Sequence, residues 1–210
     1  VTVTPLSGLV TTEGGSSDTF TVVLNSMPTA DVSIVVVSSD PDEGTVSPGT
    51  LTFTSLNWDA PQTVTVTGVD DAIADGDQPY QAQLLAATSA DPNYDAIDAA
   101  DVDVTNSDDE TAGITVGAIT GDTGEDGTEA SFTVVLNSQP TADVTIAVSS
   151  SDTGEGTVAP ALLTFTSLNW NALQTITVSG VDDAIEDGNQ PYTVVLAAAS
   201  STDTDYDGLD

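Results

Sequence analysis

No lysine, arginine, histidine or cysteine occurs among the 210 residues of this chain. Each absence excludes a class of function. Without a cationic side chain there is nothing to contact nucleic-acid phosphates and little to hold the chain on an anionic membrane. Without histidine or cysteine, zinc and copper lose their preferred ligands. Without cysteine there is neither a disulfide framework nor thiol chemistry. No apolar run approaches the roughly 20 residues of a membrane-spanning helix, so neither nucleic acid nor membrane insertion is expected. Trypsin-like proteases find no site to cut, which suits exposure outside a cell. The absence of an initiator methionine and of a signal peptide reads as a mature fragment or a piece of something longer.

What is present is acid. Asp and Glu number 34 and give a formal charge of −34. With one sign of charge no side-chain ion pair can form, and the chain repels itself unless cations or salt compensate. High net charge often accompanies disorder. Here, however, 39% of the residues are hydrophobic and they fall in alternating runs, which predicts a folded chain of two ordinary domains.

The strongest signal is an internal duplication. Shifting the chain by 112 positions lays residues 19–80 on 131–192 without a gap, with roughly three quarters of positions identical. Phe20-Thr-Val-Val-Leu-Asn-Ser26 returns as Phe132-Thr-Val-Val-Leu-Asn-Ser138, and Thr52-Phe-Thr-Ser-Leu-Asn-Trp58 as Thr164-Phe-Thr-Ser-Leu-Asn-Trp170. The expected domains are 1–110 and 111–210. The second stops before the counterpart of Asp101–Glu110 and so lacks its last strand. Either the natural chain continues or a neighbour supplies that strand.

Period-two alternation dominates, and comparing the copies assigns faces. Val32, Ile34 and Val36 stay apolar in the second copy, whereas Val35 and Val37 become Ala147 and Ser149; the first set should face the core. The same reading points Phe20, Val22, Leu24, Leu51, Phe53, Val64, Val66, Tyr80, Ala82 and Leu84 inward. Trp58 and Trp170 are expected to plug one end of each core. Seven strands per repeat follow, near 1–5, 19–25, 31–38, 50–54, 62–67, 79–87 and 100–106. The expected fold is all-β: two tandem immunoglobulin-like antiparallel β-sandwiches.

In such a sandwich successive loops alternate between two tips, and the acids sort with them. One tip collects Glu13, then Asp40, Asp42 and Glu43, then Asp70, Asp71, Asp75 and Asp77, then Asp108, Asp109 and Glu110. The 25–30 loop, at the other tip, has no acid. Crowded carboxylates call for a cation, and oxygen ligands of this kind suit calcium, which takes six to eight. The alternative is a solvated acidic face. That alternative is favoured for Asp42 and Asp77, which become Gly154 and Asn189 in the second copy. A further motif, Asp91-Pro-Asn-Tyr-Asp95 and Asp203-Thr-Asp-Tyr-Asp207, reads either as an Asx-rich turn or as acids (Asp203, Asp205, Asp207) approaching the junction between domains.

The Glu of the first loop, the Val-Asp-Asp after the fifth strand and the Asp-Asp-Glu after the last one resemble the Calx-beta domain of sodium–calcium exchangers and bacterial surface proteins. The resemblance implies calcium held by loop carboxylates between or beside domains. It implicates Glu13, Asp40, Asp70, Asp71, Asp75, Asp108, Asp109 and Glu110 in the first copy. In the second it implicates Glu125, Asp152, Asp182, Asp183, Glu186 and Asp187. Glu186 replaces Ala74, so the two sites need not be equivalent.

The function this supports is a calcium-binding structural or adhesive module of an extracellular bacterial surface protein or fibre, with calcium rigidifying a rod of tandem domains and neighbouring copies as partners. A second reading is the subunit of a self-assembling filament joined by β-strand complementation. A carbohydrate-binding adhesin fits less well, since aromatics make up 5% and fall mostly at core positions. An enzyme is not expected: Asp70 with Glu13 provides a carboxylate pair of the glycosidase kind, but on a convex tip and without His, Lys, Arg or Cys to assist.

Overall fold

A computed structural model describes residues 1–185 and 188–210. The chain divides into two compact units, Val1–Asp71 with Asp75–Asp109, and Ala72–Ala74 with Glu110–Asp210. The described residues are strands and connecting turns, with no helix.

The first unit is a β-sandwich of ten strands: β1 (Thr2–Thr4), β2 (Leu9–Thr12), β3 (Ser17–Val23), β4 (Val32–Ser38), β5 (Gly44–Ser47), β6 (Thr50–Phe53), β7 (Gln62–Gly68), β8 (Gln78–Leu84), β9 (Thr88–Ser89) and β10 (Val102–Ser107). One sheet runs β1-β3-β7-β5, the other β2-β10-β8-β4-β6, with β9 beside β4. The alternation in sequence becomes alternation in burial. Phe20, Val22, Val32, Ile34, Val36, Leu51, Phe53, Val64, Val66, Ala82 and Leu84 are all buried between the sheets, while Val35 is 40% exposed. Trp58 is half-buried against this core, and its carbonyl accepts the Leu24 N–H at 3.1 Å.

Two differences from the seven-strand expectation matter for the acidic tip. The first strand is split. Pro5 removes a ladder donor and Gly8 sits at φ +83°, so the chain changes sheets: β1 pairs with β3, whereas β2 crosses over and pairs parallel to β10. The segment after β4 is also more than a loop, because β5 pairs antiparallel with β7. Both additions bring acid-bearing ends together. Thr12 lies opposite Ser107, and Gly44 opposite Gly68.

The second unit contains β11 (Ile114–Val116), β12 (Glu129–Leu136), β13 (Val144–Ser150), β14 (Gly156–Ala159), β15 (Leu162–Phe165), β16 (Gln174–Gly180) and β17 (Val194–Leu196). Its described sheets are β11-β12-β16-β14 and β15-β13-β17. Val134, Val144, Ile146, Leu163, Phe165, Ile176 and Val178 form its core, with Trp170 packed beside them as Trp58 is in the first unit.

Candidate metal centre

The acidic tip of the first unit is built on backbone, glycine and neutral side chains. Gly68 ends β7 where a Cβ would lie 2.2 Å from the Thr12 carbonyl oxygen and 2.4 Å from Asn106 Oδ1, so only glycine lets these segments meet. The Val69 N–H donates to the Glu43 carbonyl at 3.0 Å and the Glu13 N–H to the Ser107 carbonyl at 3.1 Å. Asn106, 1% exposed, ties the tip together. Its Oδ1 accepts the Thr11 hydroxyl at 2.9 Å, and its Nδ2 donates to the Val69 carbonyl at 3.1 Å and to Glu43 Oε2 at 3.3 Å. The Tyr80 ring packs where a side chain on Gly44 would sit. Burial pushes the Tyr80 hydroxyl above its ordinary ionisation range, opposed by its Thr11 hydrogen bond and reinforced by the Glu43 charge.

Carboxylates converge on this frame. One oxygen each from Glu43, Asp71 and Asp75 lie within 4.8 Å of one another. Glu13 and Asp108 are equally close, as are Asp70 and Asp109. Glu13 is 2% exposed, Glu43 and Asp108 are half-buried, and Asp70, Asp71, Asp75 and Asp109 face solvent. The Gly76 N–H donates to Asp108 Oδ2 at 2.6 Å. Like charges at this spacing repel by about 1 kcal/mol per pair in water and several-fold more in a less polar surround. The strain registers at Glu43. Its carboxyl is held above the usual range, first by burial and then by Asp75, Asp71 and Asp40, with the Asn106 hydrogen bond opposing.

Asp40 and Asp77 also brace the frame. Asp40 Oδ1 accepts the Asp42 N–H at 3.2 Å, closing the turn into β5. Asp77 Oδ1 accepts the Ser107 hydroxyl at 2.9 Å and the Asp108 N–H at 3.2 Å. Glu110, the first residue after Asp109, is half-buried and belongs to the second unit. The acid of this cluster that sequence reasoning left out of its candidate ligands is Glu43. Its signal was present: Glu43 returns as Glu155, whereas its neighbour Asp42 is replaced by Gly154. Asn106 was also missed, because a buried neutral amide carries no pattern of its own.

In the second unit, Glu125, Asp152, Asp182 and Asp183 are exposed, and among the described residues they form no group of three acids. Asp152 Oδ1 accepts the Gly154 N–H at 2.9 Å and Asp183 Oδ1 the Ile185 N–H at 2.6 Å. Glu186 and Asp187 lie outside the described residues. The Asp91 and Asp203 motifs form Asx-type turns. Asp91 Oδ2 accepts the Thr29 N–H at 2.7 Å and its Oδ1 the Asn93 N–H at 2.9 Å; Asp203 repeats this with Thr141 and Asp205. The Thr29 backbone bond, then that of Asn93, lowers the Asp91 carboxyl to about 2.

The donors of the first unit's tip are carboxylate oxygens, with carbonyls beside them. That set fits a hard divalent cation and gives a soft or borderline one no preferred ligand.

No family model matches the chain, and no curated protein matches it. Among solved structures, the CBD12 domains from CALX1.2 align over 98% of this chain and 84% of theirs, at 15% identity and a TM-score of 0.41. The calcium binding domain CBD12 of CALX1.1 aligns over 95% and 81%, at 14% identity and a TM-score of 0.37. SSP-19, an MSP-domain protein like family member of Caenorhabditis elegans, aligns over 51% of this chain and 97% of its own, at 17% identity and a TM-score of 0.36. The chain is an all-β protein of immunoglobulin-like sandwich architecture.

Proposed function

We propose that the first unit is a calcium-binding structural module and that calcium sets the rigidity of its acidic tip. The observation that carries this reading is the meeting of Glu43, Asp71 and Asp75 within 4.8 Å, on a frame of backbone and Asn106 that holds the acids together despite their repulsion. A divalent ion bound there turns that repulsion into attraction. It links the turn before β5 to the loop after β7. A second contribution comes from Glu13 with Asp108 and Asp70 with Asp109, which place carboxylates from the loop after β2 and the exit of β10 beside the same loop. Pinning the exit of β10 stiffens the chain where it leaves the module.

Extracellular modules of this affinity class bind calcium at about 0.1–1 mM, so the tip is ordered where calcium is plentiful. This suits a secreted or surface-exposed structural protein with further copies of the repeat as neighbours. The role is architectural, not catalytic.

Terbium, which replaces calcium and is sensitised by nearby aromatic rings, tests the site directly. Tyr80 packs against Gly44, next to Glu43. The protein should sensitise terbium emission, millimolar calcium should quench it, and Asp71→Asn with Asp75→Asn should remove most of it. Emission that survives the double substitution, or that sodium chloride quenches as well as calcium does, would refute the site.

A further inference from the structure

We propose that the Asp75–Gly76 bond is a self-modification site. There the chain converts Asp75 to isoaspartate through a cyclic imide, with the Asp108 carboxylate taking the proton of the Gly76 N–H. The chemistry needs no reagent but water. The modification stands without a cation; only its consequence for calcium rests on the proposed calcium site.

Aspartate followed by glycine is prone to this cyclisation, because no Cβ shields the amide nitrogen of the second residue. Four such pairs occur: Asp75-Gly76, Asp126-Gly127, Asp187-Gly188 and Asp207-Gly208. Asp187 lies outside the described residues, and the other three differ in what holds the glycine nitrogen. The Gly127 N–H donates to the Gly124 carbonyl at 3.0 Å, and the Gly208 N–H to the Ala199 carbonyl at 2.9 Å. A carbonyl accepts a hydrogen bond but takes no proton at neutral pH. The Gly76 N–H instead donates to Asp108 Oδ2 at 2.6 Å, a short, charge-assisted bond to a group that can serve as a base.

The carboxyl groups differ as well. Asp126 Oδ1 accepts the Thr128 hydroxyl at 2.6 Å and the Thr128 N–H at 3.0 Å. These bonds, the side-chain one first, hold the carboxyl below its ordinary range, in the anionic form that a nucleophile attacks least readily. Asp207 Oδ1 accepts the Ser201 N–H at 3.2 Å. Asp75 is exposed, and among the described residues its carboxylate accepts no hydrogen bond, so it is free to turn toward the Gly76 nitrogen. Gly76 sits at φ +76° with open space around its Cβ position, so the glycine side of the new ring is uncrowded.

The step conserves atoms. From the acid form of Asp75, the Gly76 nitrogen bonds to Cγ, its proton passes to Asp108 and on to the departing hydroxyl, and that hydroxyl leaves as water. A second water then opens the ring. Attack at the side-chain carbonyl carbon restores Asp75; attack at the main-chain carbonyl carbon routes the backbone through the former side chain. The isoaspartate lengthens the backbone by one carbon and moves the free carboxylate away from the group it forms with Glu43 and Asp71 within 4.8 Å. On the calcium reading, the modified chain loses an oxygen ligand and binds the ion less tightly.

The test stores the 210-residue protein in warm neutral buffer with chelator and counts isoaspartate at each bond by electron-transfer fragmentation of chymotryptic peptides. In denaturant the bonds should isomerise at similar rates. In the folded protein Asp75 should isomerise at least about tenfold faster than Asp126 and Asp207. Asp108→Asn keeps an acceptor for the Gly76 N–H but takes no proton; it should slow Asp75 at least about tenfold and leave Asp126 and Asp207 at their own rates. A melting curve in the same buffer shows whether this variant is folded; if it is not, the comparison of bonds within the unmodified protein decides. An Asp75 rate no greater than those of Asp126 and Asp207, or one that a folded Asp108→Asn protein keeps or exceeds, would overturn the proposal. Terbium emission should fall in step with isoaspartate at Asp75; emission that persists would overturn the consequence for calcium and leave the modification standing.

Discussion

At the scale of single residues, acids of one kind do opposite work. Asp91 is a fastener: it joins the loop after β9 to the loop after β3, and hydrogen bonds hold its carboxyl at about 2, below the ordinary 3.8. The folded state therefore binds that proton less readily than the unfolded chain does. Its contribution is complete above pH 3.8 and is lost as pH falls toward 2. Asp91→Asn should lower the melting temperature of the first unit at pH 7, and the gap from the unmodified protein should close by pH 2. Glu43 is a liability without a cation, held raised by burial and acidic neighbours. Glu43→Gln keeps an acceptor for Asn106 and removes a charge. In chelator it should melt about 1–4 °C above the unmodified protein, a gain of under about 1 kcal/mol, and in calcium the order should reverse. A variant less stable than the parent under both conditions would show that Glu43 is simply structural. The sequence announced Asp70 and Asp71 through a repeated Val-Asp-Asp, but it hid Glu43 among more conspicuous acids.

At the scale of elements, inward and outward faces were legible because alternation has a period of two and the second copy broke the ties, as at Val35 and Val37. The short strands β2 and β5 were not. Leu9–Thr12 and Gly44–Ser47 are four residues each, too short to show a period, and what makes them strands is a partner far away in sequence, β10 and β7. Those two pairings position the acidic tip. Gly68→Ala, which drives a methyl into the Thr12 carbonyl, should therefore cost about 1–3 kcal/mol by the usual scale of overpacking. It should abolish the calcium response of the first unit although no acid has changed. Gly8→Ala, outside the acidic loops, is the matched control. It sits at φ +83° with open space around its Cβ position, so it should cost about 1 kcal/mol and leave calcium binding in place.

At the scale of the whole molecule, a charge of −34 without a single cationic side chain makes stability a function of the ionic medium. Any salt screens that charge; a specific site distinguishes ions of equal charge. Thermal unfolding in 10 mM calcium, 10 mM magnesium, matched sodium chloride and chelator separates the two most directly. For a dissociation constant of about 0.1–1 mM, calcium adds about 1–3 kcal/mol per site, a rise of several degrees or more for a unit of this size. Magnesium and sodium should give only the smaller common rise due to screening, and Asp71→Asn with Asp75→Asn should reduce the calcium rise to that level. Equal rises with calcium and magnesium, or a calcium rise that the double substitution leaves intact, would contradict a calcium site at Glu43, Asp71 and Asp75.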